Sequence, residues 1–327
     1  MNDPEKLIGA VDIGGTSIAV GLVNSAGELL ADRDMPTAAA QGCEAAMARI
    51  ADALRQMIAE TAPAGVLAGV GVGCTGPVDS KAGTVLDVDF LPGWQGCNLA
   101  NLLTLALGVE VALENDANAF ALGEWTFGEG RHCRHFVCVT VGTGIGVSVI
   151  NDGHLLRGTG DAHPEIGHHV IDPAGPRCFC GASGCWEVLA RGPAIAHRYH
   201  QATLAAGASG SGYTAEGVCA LARSGDVLAR QEIEREANYL ALGIANLVTM
   251  FAPEVIVLAG SVMDSADLFL RQIQQRVSES CRLVPYRQVR ICTSSLGSRA
   301  ALLGASVVWR QRRSASPTPA PYWAHHA

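Results

Sequence analysis

Short apolar runs broken by turn residues open the chain. Leu7 to Asp12 reads as a buried strand, Ile18 to Asn24 as a second and Glu28 to Asp34 as a third, with turn chemistry at Asn24 to Gly27. The period then changes. Met47, Ile50, Leu54, Met57 and Ile58 recur at helical spacing within Ala45 to Ala59, and Leu67 to Val72 returns to a strand. Leu99 to Leu107 reads as a helix, Glu110 to Leu113 as a strand and Asn115 to Glu124 as the start of a further helix. From Phe136 the opening order begins again: apolar Val137 to Val141, a glycine turn at Gly142 to Gly146, apolar Val147 to Ile150, then a turn at Asn151-Asp152-Gly153. This is a weak internal repeat, offset by about 130 residues and visible in pattern rather than identity. Helices at Gln231 to Met250, Ala266 to Val277 and Arg299 to Trp309 alternate with strands at Val255 to Ala259 and Gln288 to Thr293. Strands alternating with helices predict a mostly parallel α/β sheet in each half.

Composition bounds this picture. A chain of 327 residues with 49% hydrophobic and 17% charged positions is too long for one core and apolar enough for two. The net charge of −8 gives no general attraction to nucleic acid or anionic lipid. Residues Met1 to Lys6 are polar, without the features of a secretory signal, and no run approaches the ~20 apolar residues of a membrane-spanning helix. The expectation is a soluble cytoplasmic protein whose 11 cysteines are reduced. Gln311 to Ala327, rich in Ser-Pro and Ala-Pro pairs, reads as a disordered end.

Four motifs carry chemistry. Asp12-Ile13-Gly14-Gly15-Thr16 ends the first strand. Adjacent glycines can turn backbone N–H groups toward a phosphate, Thr16 adds a hydroxyl, and Asp12 offers a carboxylate to Mg²⁺; the alternative is an ordinary hairpin. Gly142-Thr143-Gly144-Ile145-Gly146 repeats the device in the second half, so two glycine turns could face each other across a cleft and hold a nucleotide's phosphates. Glu114-Asn115-Asp116-Ala117-Asn118 follows a strand; Asp116 could take a proton from a substrate hydroxyl, with Asn115 orienting the substrate, and helix capping is the coexisting alternative. The fourth motif places His168 ten residues before Cys178, with Cys180 and Cys185 following. Three thiols and an imidazole make a tetrahedral set for a structural Zn²⁺ fixing the loop that carries Glu165 and Glu187, with His169 or His163 as alternatives to His168.

Together these motifs resemble the ROK family (repressors, open reading frames and sugar kinases) of the actin-like, hexokinase-like superfamily, from Leu7 to about Ala305. The resemblance implies a two-lobed actin-like (ribonuclease H-like) ATPase fold, α/β, with a mixed sheet flanked by helices in each lobe. Residues 1–115 with 298–312 would form the smaller lobe, 116–297 the larger lobe with the zinc loop, and 313–327 the disordered tail. It also implies ATP- and Mg²⁺-dependent phosphorylation of a hexose at its 6-hydroxyl, glucose foremost, with N-acetylmannosamine or N-acetylglucosamine as alternatives. Carried over by position, Asp116 is the general base. Asn115, Glu165, His168 and Glu187 contact the sugar, and His168, Cys178, Cys180 and Cys185 hold zinc. Asp12, Gly14, Gly15, Thr16, Gly142, Thr143 and Gly144 bind phosphate, and Gly260 with Ser261 forms the adenosine-side turn. Leu91-Pro92-Gly93-Trp94 looks like the glucokinase branch. A homo-oligomer, dimer or tetramer, is implied. Part of the family carries an N-terminal DNA-binding domain. Here eleven residues precede Asp12, too few for a helix-turn-helix, which leaves a non-catalytic sugar-sensing regulator as the remote alternative.

Overall fold

The computed structural model describes residues 5–86 and 90–314. Most of the expected disordered end, residues 315–327, therefore lies outside the described residues. The described residues form two compact units: those up to Leu122 together with residues 301–314, and Gly123–Ala300. Asp116 and the first turns of its helix fall in the first of these units.

In the first unit β1 (Lys6–Ile13), β2 (Ser17–Val23) and β3 (Leu29–Pro36) form a meander, followed by helix α1 (Cys43–Thr61) and β4 (Val66–Cys74). A small hairpin, β5 (Val78–Asp79) and β6 (Thr84–Val85), precedes α2 (Leu99–Leu107), β7 (Val111–Asn115) and α3 (Asp116–Phe127). The main sheet has the order β3-β2-β1-β4-β7. Met47, Ile50, Leu54 and Met57, the helical stripe legible in the sequence, are all buried against Val11, Ile13, Val20 and Val72. Removing each such side chain from water contributes ~1.5–3 kcal/mol.

The second unit holds β8 (Phe136–Val141), β9 (Ile145–Asn151), β10 (His154–Leu155), α4 (Trp186–Ala190), α5 (Gly192–Ala205), α6 (Ala215–Ser224), α7 (Val227–Phe251), β11 (Val255–Ala259), α8 (Leu270–Ser280) and β12 (Arg290–Thr293). Its sheet has the order β10-β9-β8-β11-β12, the same plan as the first. The weak sequence repeat is therefore a repeat of topology. Helix α9 (Arg299–Ser314) is the last element among the described residues, and its Ala305 and Trp309 lie directly against β4.

Neither sheet is mostly parallel. Each main sheet has two antiparallel and two parallel pairings: β1 pairs antiparallel with β2 and parallel with β4, and β8 pairs antiparallel with β9 and parallel with β11. The reason is local. A tight turn between successive strands permits only antiparallel pairing, whereas a helical crossover brings the chain back parallel, and both halves use hairpins first and helices later.

Two further expectations change. The helix expected from Ala266 to Val277 is two pieces. A 3₁₀ stretch, Ser261–Leu268, is interrupted at Ser265, and α8 begins only at Leu270 after the fully buried Phe269. Not all 11 cysteines are free thiols: Cys43, opening α1, and Cys97, just ahead of α2, form a disulfide.

Candidate active site

In the first unit the ends of three parallel neighbours converge. Asp12 lies one residue from the end of β1, Thr75 follows β4, and Asp116 opens α3 directly after β7. Between the two aspartates lies Gly73, where a side chain would come within 3.5 Å of both Asp12 Oδ1 and the Asp116 backbone. Both carboxylates are half-buried, and enough protein surrounds them that desolvation is the largest influence on each. Burial pushes Asp12 up to about 7, assisted by the negative charges of Asp116 and Asp34. Burial also raises Asp116 above the ordinary carboxylate range, against the pull of the Ala117 N–H and the Thr75 side chain. The Ala117 N–H donates to Asp116 Oδ1 at 2.8 Å, fixing the carboxylate's orientation.

Asn115 is buried and held within the protein. Its Oδ1 accepts from the Asn118 N–H at 3.2 Å and its Nδ2 donates to the Gly76 carbonyl at 3.3 Å. The capping alternative is thus present in the structure. Glu114, also buried, accepts from the Asn115 N–H and from Asn118 Nδ2. The first glycine turn is closed by the Gly14 N–H donating to the Ser17 carbonyl at 2.9 Å, with Gly15 and Thr16 exposed. Behind it, the buried Thr37 donates its hydroxyl to the Gly14 carbonyl at 2.6 Å, and Arg49 donates to the Thr37 carbonyl at 2.6 Å.

In the second unit Glu187, on α4, is the centre of the arrangement. Its Oε2 accepts from the Ile145 N–H at 2.9 Å, at the end of the second glycine turn, and its Oε1 lies 4.0 Å from His168 Nε2. Gly144 leaves room for this carboxylate, because a Cβ at that position would sit 2.7 Å from Glu187 Oε2 and force it to shift. The Gly142 N–H donates to the Gly144 carbonyl, and the Gly192 N–H, at the start of α5, donates to the Gly142 carbonyl. Gly260 follows β11 with φ +90°. Ser261 Oγ comes within 3.6 Å of where a Gly142 side chain would begin, so the Gly260-Ser261 turn adjoins the second glycine turn. A cavity of about 860 Å³ opens beside both, lined by Thr143, His197, His200, Tyr213 and Ser261 among others. Glu165 is exposed, just ahead of the 3₁₀ turn Ile166–His168.

The donor atoms of His168, Cys178, Cys180 and Cys185 all lie within 4.8 Å of one another. Cys178 Sγ is 3.5 Å from His168 Nδ1, and Cys180 Sγ is 3.4 Å from Cys185 Sγ. Donors around a tetrahedral Zn²⁺ are separated by about 3.8 Å, so this set fits the ion. The Ala182 backbone hydrogen bond holds the Cys180 thiol below its ordinary range, favouring the thiolate that a metal takes. Of the three histidines left open by the sequence, the structure brings His168 to the thiols. His169 instead has its Nδ1 at 2.6 Å from the Ile166 carbonyl.

Sequence reasoning missed Thr75, Thr37 and Arg49. A threonine or arginine supporting a loop from another element has no local pattern. Only the register of β4 beside β1 and β7 reveals Thr75 as a neighbour of Asp116.

Duplicated five-stranded mixed sheets, each with a glycine turn after its first strand, define the actin-like α/β class of sugar kinase folds. The ROK family model matches residues 8–312, and the chain belongs to the ROK family. It is 34% identical over 316 residues to a glucokinase of Thermotoga maritima, covering 94% of this chain and 98% of that protein. A ROK family glucokinase from Streptomyces griseus, solved with glucose and AMPPNP, matches with a TM-score of 0.77 at 32% identity over 93% of this chain and 99% of that one. A putative xylose repressor of Caldicellulosiruptor sp. is 32% identical over 318 residues, which is 93% of this chain and 78% of the repressor.

Proposed function

We propose that the protein is an ATP-dependent sugar kinase that phosphorylates glucose at its 6-hydroxyl, with Asp116 as general base. The observation that carries the mechanism is the half-buried Asp116 at the strand-to-helix junction, oriented by the Ala117 N–H and hydrogen-bonded by Thr75. Kinship with glucokinases along nearly the whole chain supports the substrate.

The chemistry asked of the protein is positioning and charge. Asp116 accepts the hydroxyl proton as the sugar oxygen attacks the γ-phosphate. Its raised proton affinity makes it a better acceptor than a solvated aspartate, while the Ala117 N–H and the Thr75 side chain favour its ionised form. Each glycine turn is a candidate phosphate-binding turn by itself: Gly14, Gly15 and Thr16 in the first unit, and Gly142, Thr143 and Gly144 in the second, would give a phosphate close approach to the backbone. Asp12 would be the carboxylate that holds Mg²⁺ or its waters, where the ion would neutralise phosphate charge: a half-buried acid held at about 7 is one that a divalent cation would restore to its ionised form. The nucleoside occupies the cavity beside Gly260 and Ser261.

Sugar recognition falls to Asn115, Glu165, His168 and Glu187. A zinc held by His168 through Nδ1 would leave the proton on Nε2, so the imidazole would present a fixed donor 4.0 Å from the Glu187 carboxylate acceptor. A donor and an acceptor at that spacing can take one sugar hydroxyl between them. A metal held there by His168, Cys178, Cys180 and Cys185 would be structural, since four protein ligands would leave no open position.

The test is a coupled assay of ADP release across glucose, mannose, N-acetylmannosamine and N-acetylglucosamine. Glucose is expected to give the highest kcat/KM; preference for an N-acetyl sugar would move the substrate assignment to that class, and no ADP release with any of them would overturn the kinase reading.

A further inference from the structure

We infer that Arg198 is a positioning residue for the sugar side of the site, clamping the short helix α4 so that Glu187 is held between Ile145 and His168. The inference rests on the proposed role of Glu187 in sugar binding.

Helix α4 has only five residues, too short to be stable alone. Two anchors hold it. At its start Trp186 is fully buried and seated where α7 has Gly243; a Cβ there would come within 2.0 Å of the indole. At its end the Leu189 carbonyl, one of the acceptors that a helix C-terminus leaves without an intrahelical partner, accepts from Arg198 NH1. Glu187 sits between the two anchors.

All three nitrogens of Arg198 are committed, each to a different partner. Nε donates to Glu232 Oε2 at 3.1 Å and NH2 donates to Glu236 Oε2 at 2.6 Å, both on α7, while NH1 reaches α4. The guanidinium also lies 5.5 Å from the Tyr239 ring centre. Glu232 and Glu236 are four residues apart, on one face of α7, and both are buried. Glu232 has a second partner in Arg235 at 3.5 Å, whereas Glu236 is held by Arg198 alone through Oε2 and its Oε1 has no hydrogen-bond partner. A buried charge cluster of this kind adds little stability over apolar side chains of the same volume. What it adds here is direction: a rigid, planar fork with two prongs fixed to α7 and the third aimed at α4. A lysine has no such geometry.

The test uses the full-length zinc-loaded protein and three variants. Arg198→Met alone strands Glu236 without a counter-charge, so Arg198→Met/Glu236→Gln removes both charges and keeps the volume. Arg198→Lys keeps the charge without the fork. The readouts are melting temperature, KM and kcat for glucose, KM for ATP, and amide exchange of the peptide spanning α4. The double variant is expected to melt within a few degrees of the parent. Its glucose KM should rise about tenfold, its ATP KM should stay within about twofold, and α4 should exchange about tenfold faster, the loss of one well-placed charged hydrogen bond. Arg198→Lys should recover the melting temperature but only part of the KM. A folded double variant with parental glucose KM and parental exchange would show that Arg198 only fills space and overturn the inference. Glu187→Gln separates the two ideas. If that variant keeps a parental KM, the sugar role of Glu187 fails, whereas faster exchange in the Arg198 variants would still report the clamp on α4. Raised KM in Glu187→Gln with unchanged KM in the double variant would again overturn positioning by Arg198.

Discussion

Replacing Asp12 by Asn should make the metal-free protein more stable as the pH rises, while removing its catalytic competence. Asp12 is held at about 7 against an ordinary value of 3.8, first by desolvation and then by Asp116 and Asp34. A carboxyl raised in the folded state contributes stability that is fully present below its unfolded value and lost as the pH climbs toward the folded one. The window is therefore pH 3.8 to about 7. Between pH 5 and 7 the parent should lose about 2–3 kcal/mol through this group, the slope of about 1.36 kcal/mol per pH unit tapering as the pH reaches the folded value, with the other acids common to both proteins largely cancelling. The Asn variant lacks that loss. At about 2 °C per kcal/mol for a chain of this size, the melting temperatures of variant and parent should draw apart by ~5 °C over that range and then run parallel above pH 7.5. The assay is thermal unfolding in Mg²⁺-free buffer from pH 5 to 8.5. Curves that stay parallel from pH 5 to 7 would refute the claim that Asp12 is a desolvated, strained carboxylate.

Other predictions follow from the same geometry. Cys185→Ser should lower bound zinc to well under half an equivalent and destabilise the protein; full zinc stoichiometry in that variant would exclude the Cys₃His set. Gly144→Ala puts a methyl group 2.7 Å from Glu187 Oε2, so it should destabilise by about 1–3 kcal/mol and raise the glucose KM, and an unaffected KM would count against the contact. The Cys43–Cys97 bond closes a loop across a sequence separation of 54, worth about 4 kcal/mol in the chain-entropy account. Reductant should therefore lower the melting temperature by several degrees, and identical melts with and without reductant would show that the bond contributes nothing.

The sequence was most legible where a local pattern is tied to one structural job. The α1 stripe of Met47, Ile50, Leu54 and Met57 faces the core as its spacing predicts, and the strand–glycine–strand order seen twice corresponds to two sheets of the same plan. The cysteine cluster was legible for the same reason: three thiols within eight residues can be brought together by one loop. What escaped depends on partners distant in sequence. Sheet direction is decided by the connections rather than by the strands, so the parallel share was overestimated. Thr75 has no signal of its own until β4 is placed beside β7. Helices α4, α5 and α6 lie in a stretch rich in Ala and Gly, where the apolar stripe that marks a helix is blurred. The Cys43–Cys97 pair joins the starts of two helices that the sequence placed separately, with nothing to say they meet.

The most direct test of the central claim is the turnover of Asp116→Asn with glucose and Mg-ATP, followed by coupling glucose 6-phosphate to a dehydrogenase, alongside glucose binding by calorimetry. The account predicts a folded variant that binds glucose with near-parental affinity and loses about 10²–10⁴-fold in kcat, as expected when a positioned general base is removed. A variant within tenfold of the parental rate would contradict the assignment of Asp116 and, with it, the mechanism built on the junction of β7 and α3.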